Sequence, residues 1–99
     1  PLDTFVQIEV ESLTELEQAL TAGAEMILLD NFTLEQIREA VVITRHQQQG
    51  DKKIILETSG NVTLQNVREI AETGIDRISV GSLTKNIRAV DLSLRLYDL

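Results

Sequence analysis

The feature that most constrains this chain is a regular alternation. Short apolar runs give way to stretches of helical periodicity and back again, from residue 5 to residue 80. Residues 5–10 alternate with period two and read as a strand, with Val6, Ile8 and Val10 on one face and Phe5, Gln7 and Glu9 on the other. Ser12 or Thr14 caps a helix whose stripe is Leu13, Leu16, Ala19 and Leu20, and Gly23 ends it. Residues 26–29 are continuously apolar, as in a strand buried on both faces, and Asp30-Asn31 close them. Thr33 caps a longer helix, with Gln36 in the capping-box position and Leu34, Ile37, Ala40, Val41 and Thr44 as its stripe. A polar loop over residues 46–53 leads to a third strand, 54–58. A helix over 63–73 follows, with Leu64, Val67, Ile70 and Ala71 facing inward and Gly74 as its stop. Residues 78–80 are a short strand ended by Gly81. Residues 82–86 read as a loop with a helical turn after it, and residues 91–96 alternate as a fifth, half-exposed strand.

Helices alternating with buried strands imply a parallel sheet with right-handed crossovers. Two echoes support a repeated unit: Ala22-Gly23-Ala24-Glu25 before the second strand and Thr73-Gly74-Ile75-Asp76 before the fourth. Each is a helix stop, a glycine, a small or apolar residue and an acid. Repeated βα units are the grammar of a (β/α) barrel; a doubly wound open sheet is the other solution.

Composition narrows the class. The 99 residues hold one domain or a piece of one, and 42% are hydrophobic, enough to bury a core. Aromatics are confined to Phe5, Phe32 and Tyr97, so the core is built of Leu, Ile, Val and Ala. The net charge of −7 disfavours nucleic-acid and membrane-surface roles, which need basic patches. With no cysteine there are no disulfides, thiolate metal sites or cysteine nucleophiles. Neither a signal peptide nor a bilayer-length apolar run is found, so a soluble, cytoplasmic protein is expected.

In both candidate architectures ligands bind at the carboxyl ends of the strands. Those ends carry Glu9 with Glu11, then Asp30-Asn31, then Glu57-Thr58-Ser59-Gly60-Asn61, then Ser79 and Gly81-Ser82. Two carboxylates beside two loops of small residues suggest a magnesium-bound phosphorylated substrate, because Mg²⁺ is held by one or two carboxylates together with substrate oxygens. Backbone N–H groups of a tight turn leading into a helix can cradle phosphate. Plainer readings stand beside these. Asp-Asn is common as a turn after strands, Glu9 on a half-exposed strand can be a solvated charge, and Ser59-Gly60-Asn61 taken singly is an ordinary turn. His46, the one histidine, sits near a helix end, where solvation and the helix dipole account for it.

Five stretches, in order, resemble the quinolinate phosphoribosyltransferase family. They are Phe-Val-Gln-Ile-Glu-Val-Glu-Ser-Leu-Thr-Glu-Leu, Ala-Gly-Ala-Glu-Met-Ile-Leu-Leu-Asp-Asn-Phe, Leu-Glu-Thr-Ser-Gly-Asn-Val-Thr, Ala-Glu-Thr-Gly-Ile-Asp and Ile-Ser-Val-Gly-Ser-Leu-Thr-Lys. The resemblance runs from about Phe5 to Leu96. It implies an α/β fold, a parallel (β/α) half-barrel that is the C-terminal part of an incomplete TIM-like barrel, with a closing C-terminal strand. Residues 1–99 would be that partial barrel, and the family's N-terminal sandwich domain and earlier barrel strands would be absent. The implied activity is a pentosyl transfer in NAD biosynthesis, from phosphoribosyl pyrophosphate and quinolinate to nicotinate mononucleotide, pyrophosphate and CO₂.

By the same resemblance, Glu9 and Asp30 are the catalytic carboxylates that approach the ribose hydroxyls and Mg²⁺. Ser59, Gly60 and Asn61 form one phosphate loop, and Val80, Gly81 and Ser82 the other. Glu57 is an inward acid near the same site. Many family members have Ser-Gly-Gly where this chain has Ser-Gly-Asn, and His where it has Lys85. The basic residues that hold quinolinate in the family come from earlier barrel strands and a neighbouring subunit. The piece alone is therefore expected to be inactive, and its parent a homodimer or higher homo-oligomer acting on small molecules, without nucleic acid or membrane. The alternatives are a non-catalytic half-barrel module, or a related phosphoribosyltransferase with another acceptor.

Overall fold

The computed structural model describes residues 5–48, 50, 52–60, 62–80 and 83–86. Within them the order is β1 (Gln7–Val10), α1 (Leu13–Thr21), β2 (Met26–Asp30), α2 (Leu34–Gln47), β3 (Ile55–Ser59), α3 (Val67–Ala71), β4 (Arg77–Val80) and β5 (Leu83–Asn86). The strands form one sheet in the order β1-β2-β3-β4-β5, the first four parallel.

Sequential parallel neighbours joined by right-handed crossovers place every crossover helix on the same side of the sheet. The core shows this. Its strand members are Val10, Ile27, Leu29, Leu56 and Ile78, all of one parity, clustered with Leu16 and Ala19 of α1, Ile37, Ala40 and Val41 of α2, and Val67 and Ile70 of α3. Residues of the other parity, Glu9, Leu28, Glu57 and Arg77, line up across the sheet in register and stand outside that cluster. A doubly wound sheet would carry helices on both faces. Here one face is helix-covered and apolar, and among the described residues no helix packs on the other, which carries Glu9, Glu57, Arg77 and Ser79.

The helix signals act as their chemistry requires. Ser12 Oγ accepts from Glu15 N–H at 3.1 Å and starts α1. Thr33 Oγ1 accepts from Gln36 N–H at 3.2 Å, and Gln36 Oε1 accepts from Thr33 N–H at 2.9 Å, a complete capping box. Ile37, Ala40, Val41 and Thr44 are buried along α2.

The two echoes have a mechanical meaning. Gly23 and Gly74 both take left-handed backbone, with φ of 86° and 96°, ending α1 and α3. The acid that follows reaches back to the amino end of an earlier strand: Glu25 Oε1 accepts from Val6 N–H at 3.0 Å, and Asp76 Oδ2 accepts from Leu56 N–H at 2.8 Å. Each repeat thus ties its incoming strand to the neighbour it pairs with. A methyl group at Gly74 would meet Val41 Cγ1 at 3.3 Å, in addition to the left-handed φ. Gly74→Ala is accordingly expected to cost about 1–2 kcal/mol, read as a lowered midpoint in urea denaturation.

Three expectations change. The third helix is short: residues 64–66 form a turn, the helix proper is Val67–Ala71, and Leu64 is 61% exposed rather than inward. Thr63 still closes the first turn, because its carbonyl accepts from Val67 N–H at 2.9 Å. Residues 83–86 are a strand and not a loop: β5 runs antiparallel to β4, with Val80 opposite Leu83. That register leaves the dipeptide Gly81-Ser82 between the strands, and Gly-Ser between two strand-like runs is a hairpin signal in sequence. Strand β1 begins at Gln7, leaving Phe5 54% exposed. The helical turn after residue 86 and the strand expected over 91–96 lie outside the described residues.

Candidate active site

At the carboxyl ends of β1 and β2, local sequence sets the geometry. Glu9 on β1 and Glu11 just beyond its end are two residues apart and both exposed, while Val10 between them is buried in the core. Asp30 is the last residue of β2, half-buried. One carboxylate oxygen from each of Glu9, Glu11 and Asp30 lies within 4.8 Å of the others. Carboxylate oxygens are hard ligands suited to Mg²⁺ or Ca²⁺ rather than to soft metals, so this donor set fits the magnesium expected from sequence. The sequence named Glu9 with Glu11 at this strand end and chose Glu9 and Asp30 as the candidate ligands; Glu11 joins them in space.

The neighbouring strand ends are locked to each other. Asn31 takes φ of 58°, a left-handed conformation that asparagine tolerates better than most residues. Its N–H donates to the Ser59 carbonyl at 3.0 Å, joining the end of β2 to the end of β3. Ser59 pairs with Asp30 in register. Gly60 follows with φ of 81°, and a Cβ there would collide with Asn31 Oδ1 and sit 3.3 Å from Asn31 N. The left-handed angle favours glycine, and any side chain there would also have to displace the Asn31 amide. Downstream, Thr63 N–H donates to Asn66 Oδ1 at 2.8 Å and Asn66 N–H donates to Thr63 Oγ1 at 3.2 Å, fixing the turn ahead of α3. With α3 only five residues long, helix-dipole assistance to an anion is small, and cradling at this loop falls to backbone N–H groups.

Of the remaining sequence-derived residues, Val80 ends β4 opposite Leu83. Asn61, Gly81 and Ser82 lie outside the described residues. Lys85 falls opposite Ile78 in register. His46 is exposed in the last turn of α2. Glu57 lies on the face opposite the helices, buried at 9% exposure, beside Arg77, whose Nε is 3.5 Å from Glu57 Oε1. Sequence reasoning passed over Arg77, although it stands two residues before Ser79 and so shares its parity.

The opposite end of the sheet holds a different network. Asp76 accepts from Arg45 Nη2 at 2.6 Å, Lys53 Nζ at 2.9 Å and Leu56 N–H at 2.8 Å. Arg45 also donates to Gln48 Oε1 and to the Ile54 and Gly74 carbonyls. Burial opposes ionisation of Asp76, but donation from Lys53, Leu56 N–H and Arg45, with the Arg45 charge, outweighs it and holds the carboxyl below its ordinary value. This cluster is saturated with partners and joins the amino ends of β3 and β4.

Comparison with known proteins decides the family. The family model for the quinolinate phosphoribosyl transferase C-terminal domain matches residues 2–95. The chain belongs to that family. Among curated relatives, a probable nicotinate-nucleotide pyrophosphorylase [carboxylating] of Methanocaldococcus jannaschii is 40% identical over 90 residues, covering 90% of this chain and 32% of that protein. The nicotinate-nucleotide pyrophosphorylase [carboxylating] of Homo sapiens is 38% identical over 92 residues, covering 93% and 30%. A solved structure of the nicotinate-nucleotide pyrophosphorylase from Francisella tularensis superposes with a TM-score of 0.67 at 38% identity, covering 88% of this chain and 30% of that one. The chain spans about a third of the length of the relatives it matches. The family assignment accounts for four parallel strands with intervening helices, and it agrees with the resemblance of the five sequence stretches. Among the described residues no helix is long and apolar enough to cross a membrane.

Proposed function

We propose that this chain supplies the donor-binding part of a nicotinate-nucleotide pyrophosphorylase (carboxylating), holding phosphoribosyl pyrophosphate for transfer to quinolinate. The observation that carries the reading is the convergence of Glu9, Glu11 and Asp30 within 4.8 Å beside the interlocked Asn31 and Gly60 turns. The names of the relatives support the reaction, and the polar sheet face opposite the described helices supports a half-barrel whose interior is the binding surface. In this reading Glu9 and Asp30 approach the ribose hydroxyls and, with Glu11, hold Mg²⁺. Magnesium, when bound, supplies positive charge against the pyrophosphate oxygens. Ser59, Gly60 and Asn61 offer N–H and hydroxyl donors to one phosphate, and Val80, Gly81 and Ser82 to another. As pyrophosphate leaves the ribose C1, positive charge develops on the sugar, and the carboxylates of Glu9 and Asp30 stabilise it.

Among the described residues the charge on that face is mostly negative, so the basic groups for quinolinate's two carboxylates come chiefly from the remainder of the enzyme. The outer edge of β1 is unpaired within the described sheet, which supports assembly against further strands. Calorimetric titration of the chain with phosphoribosyl pyrophosphate tests the reading. Saturable binding that requires Mg²⁺ is expected. Binding of equal strength with and without Mg²⁺, or none in either case, contradicts it.

A further inference from the structure

Asn31 stands between the two parts of the candidate site. It follows Asp30, the last residue of β2, and its N–H donates to the Ser59 carbonyl at 3.0 Å, one residue before Gly60. Asp30 and Ser59 are themselves paired in register. The φ of 58° at Asn31 is a conformation that glycine adopts without strain and asparagine tolerates. What asparagine supplies there beyond glycine is a side chain, and that side chain lies against Gly60. A Cβ on Gly60 would collide with Asn31 Oδ1 and sit 3.1 Å from Asn31 Cγ. The amide at one strand end thus fills the space left by the missing side chain at the next.

This contact contributes little to the core. Asn31 is exposed and stands outside the buried cluster, so removing its side chain gives up little apolar burial. Its consequence is geometric. The amide restricts where the turn after β3 can move relative to the end of β2.

We infer that Asn31 is a positioning residue of the donor site: its side chain, packed against Gly60, holds the Ser59-Gly60 turn in place relative to the carboxylates of Asp30 and Glu9. This rests on the reading given under the proposed function, in which that turn takes a phosphate and those carboxylates take the ribose and Mg²⁺. A donor that spans both parts needs them in position together. A turn free to move reaches that arrangement for only a fraction of the time, and the apparent affinity falls by the same fraction.

Asn31→Gly isolates the side chain, because glycine keeps the left-handed turn and the N–H that bonds Ser59. Calorimetric titration of the full chain with phosphoribosyl pyrophosphate at saturating Mg²⁺ is expected to show about tenfold weaker binding in the variant, as for a turn in place about a tenth of the time. Mg²⁺ added alone, followed by NMR at the Glu9 and Asp30 amides, is expected to bind wild type and variant equally, with Tm little changed. A merely structural role would instead lower Tm and weaken Mg²⁺ and the phosphorylated donor together. Gly60→Ala adds a second measurement. Its Cβ meets the Asn31 amide, so the affinity lost in Asn31→Gly/Gly60→Ala is expected to be smaller than the product of the two single losses. Asn31→Gly carries the test if Gly60→Ala does not fold. Unchanged donor affinity in Asn31→Gly, equal weakening of Mg²⁺ and donor, or multiplicative losses in the double variant overturns the inference. If the wild type still binds phosphoribosyl pyrophosphate only with Mg²⁺, the donor-site reading survives that failure. If the wild type does not bind it, both fall.

Discussion

Asp76→Ala is expected to lower the stability of this protein by about 3 kcal/mol, which for a domain of this size is a fall in Tm of roughly 15 °C. The side chain is 15% exposed and serves three donors, of which the Leu56 N–H and Arg45 matter most. Removing it leaves a part-buried guanidinium without its carboxylate and a strand N–H without its acceptor. Lys53 is 61% exposed and adds little. Its counterpart in the other repeat, Glu25, has one strand N–H at 3.0 Å and a loose contact to exposed Lys52 at 3.6 Å. Glu25→Ala is therefore expected to cost only about 1 kcal/mol. Thermal denaturation of the two variants side by side checks both the size and the order.

The same group sets an acid limit. The folded pKa of Asp76 lies below its unfolded value, so on acidification the unfolded chain takes up the proton first. Its contribution to stability is full above the unfolded carboxyl value of about 3.9, falls as pH drops toward the folded pKa, and is absent below it. In Asp76→Ala this acid-dependent increment disappears, so the stability difference between wild type and variant is expected to shrink steadily below about pH 4.

The opposite pattern is expected at the other end of the sheet. In the double variant Glu9→Gln/Asp30→Asn, Mg²⁺-supported affinity for phosphoribosyl pyrophosphate is expected to fall about 100-fold, from two charge-assisted contacts at about 1.5 kcal/mol each. Stability is expected to hold or rise slightly. Three carboxylates within 4.8 Å repel one another without a cation, and a unit-charge pair at about 4 Å in water is worth about 1 kcal/mol. A variant that binds less and melts no lower marks residues that serve a ligand rather than the fold. Equal losses in both would assign Glu9 and Asp30 to the structure.

What the sequence made legible was local. Period-two alternation, the Thr33–Gln36 capping box and the glycine-acid echoes each arise within a few residues, and each reappears in the structure with the expected bonds. Even so, the echo was visible only as repetition. That Glu25 and Asp76 serve N–H groups 19 and 20 residues upstream depends on how neighbouring strands align. The Glu57–Arg77 pairing is illegible for the same reason: it exists only once β3 and β4 are in register. Leu64 misled because 64, 67, 70 and 71 have helical spacing, while the chain leaving Gly60 spends residues 64–66 in a turn and delivers the stripe from Val67 onward. Residues 83–86 misled because the Gly-Ser hairpin signal was weighed as a βα loop.

Function at the carboxyl ends of the strands and stability at their amino ends is the central claim. Mapping backbone amide shifts during titration with phosphoribosyl pyrophosphate and Mg²⁺ tests it directly. The predicted result is saturable shifts at Glu9, Asp30, Ser59 and Gly60, with Arg45, Leu56 and Asp76 unmoved. Shifts concentrated at Arg45, Leu56 and Asp76, with the Glu9 and Asp30 amides silent, would contradict it.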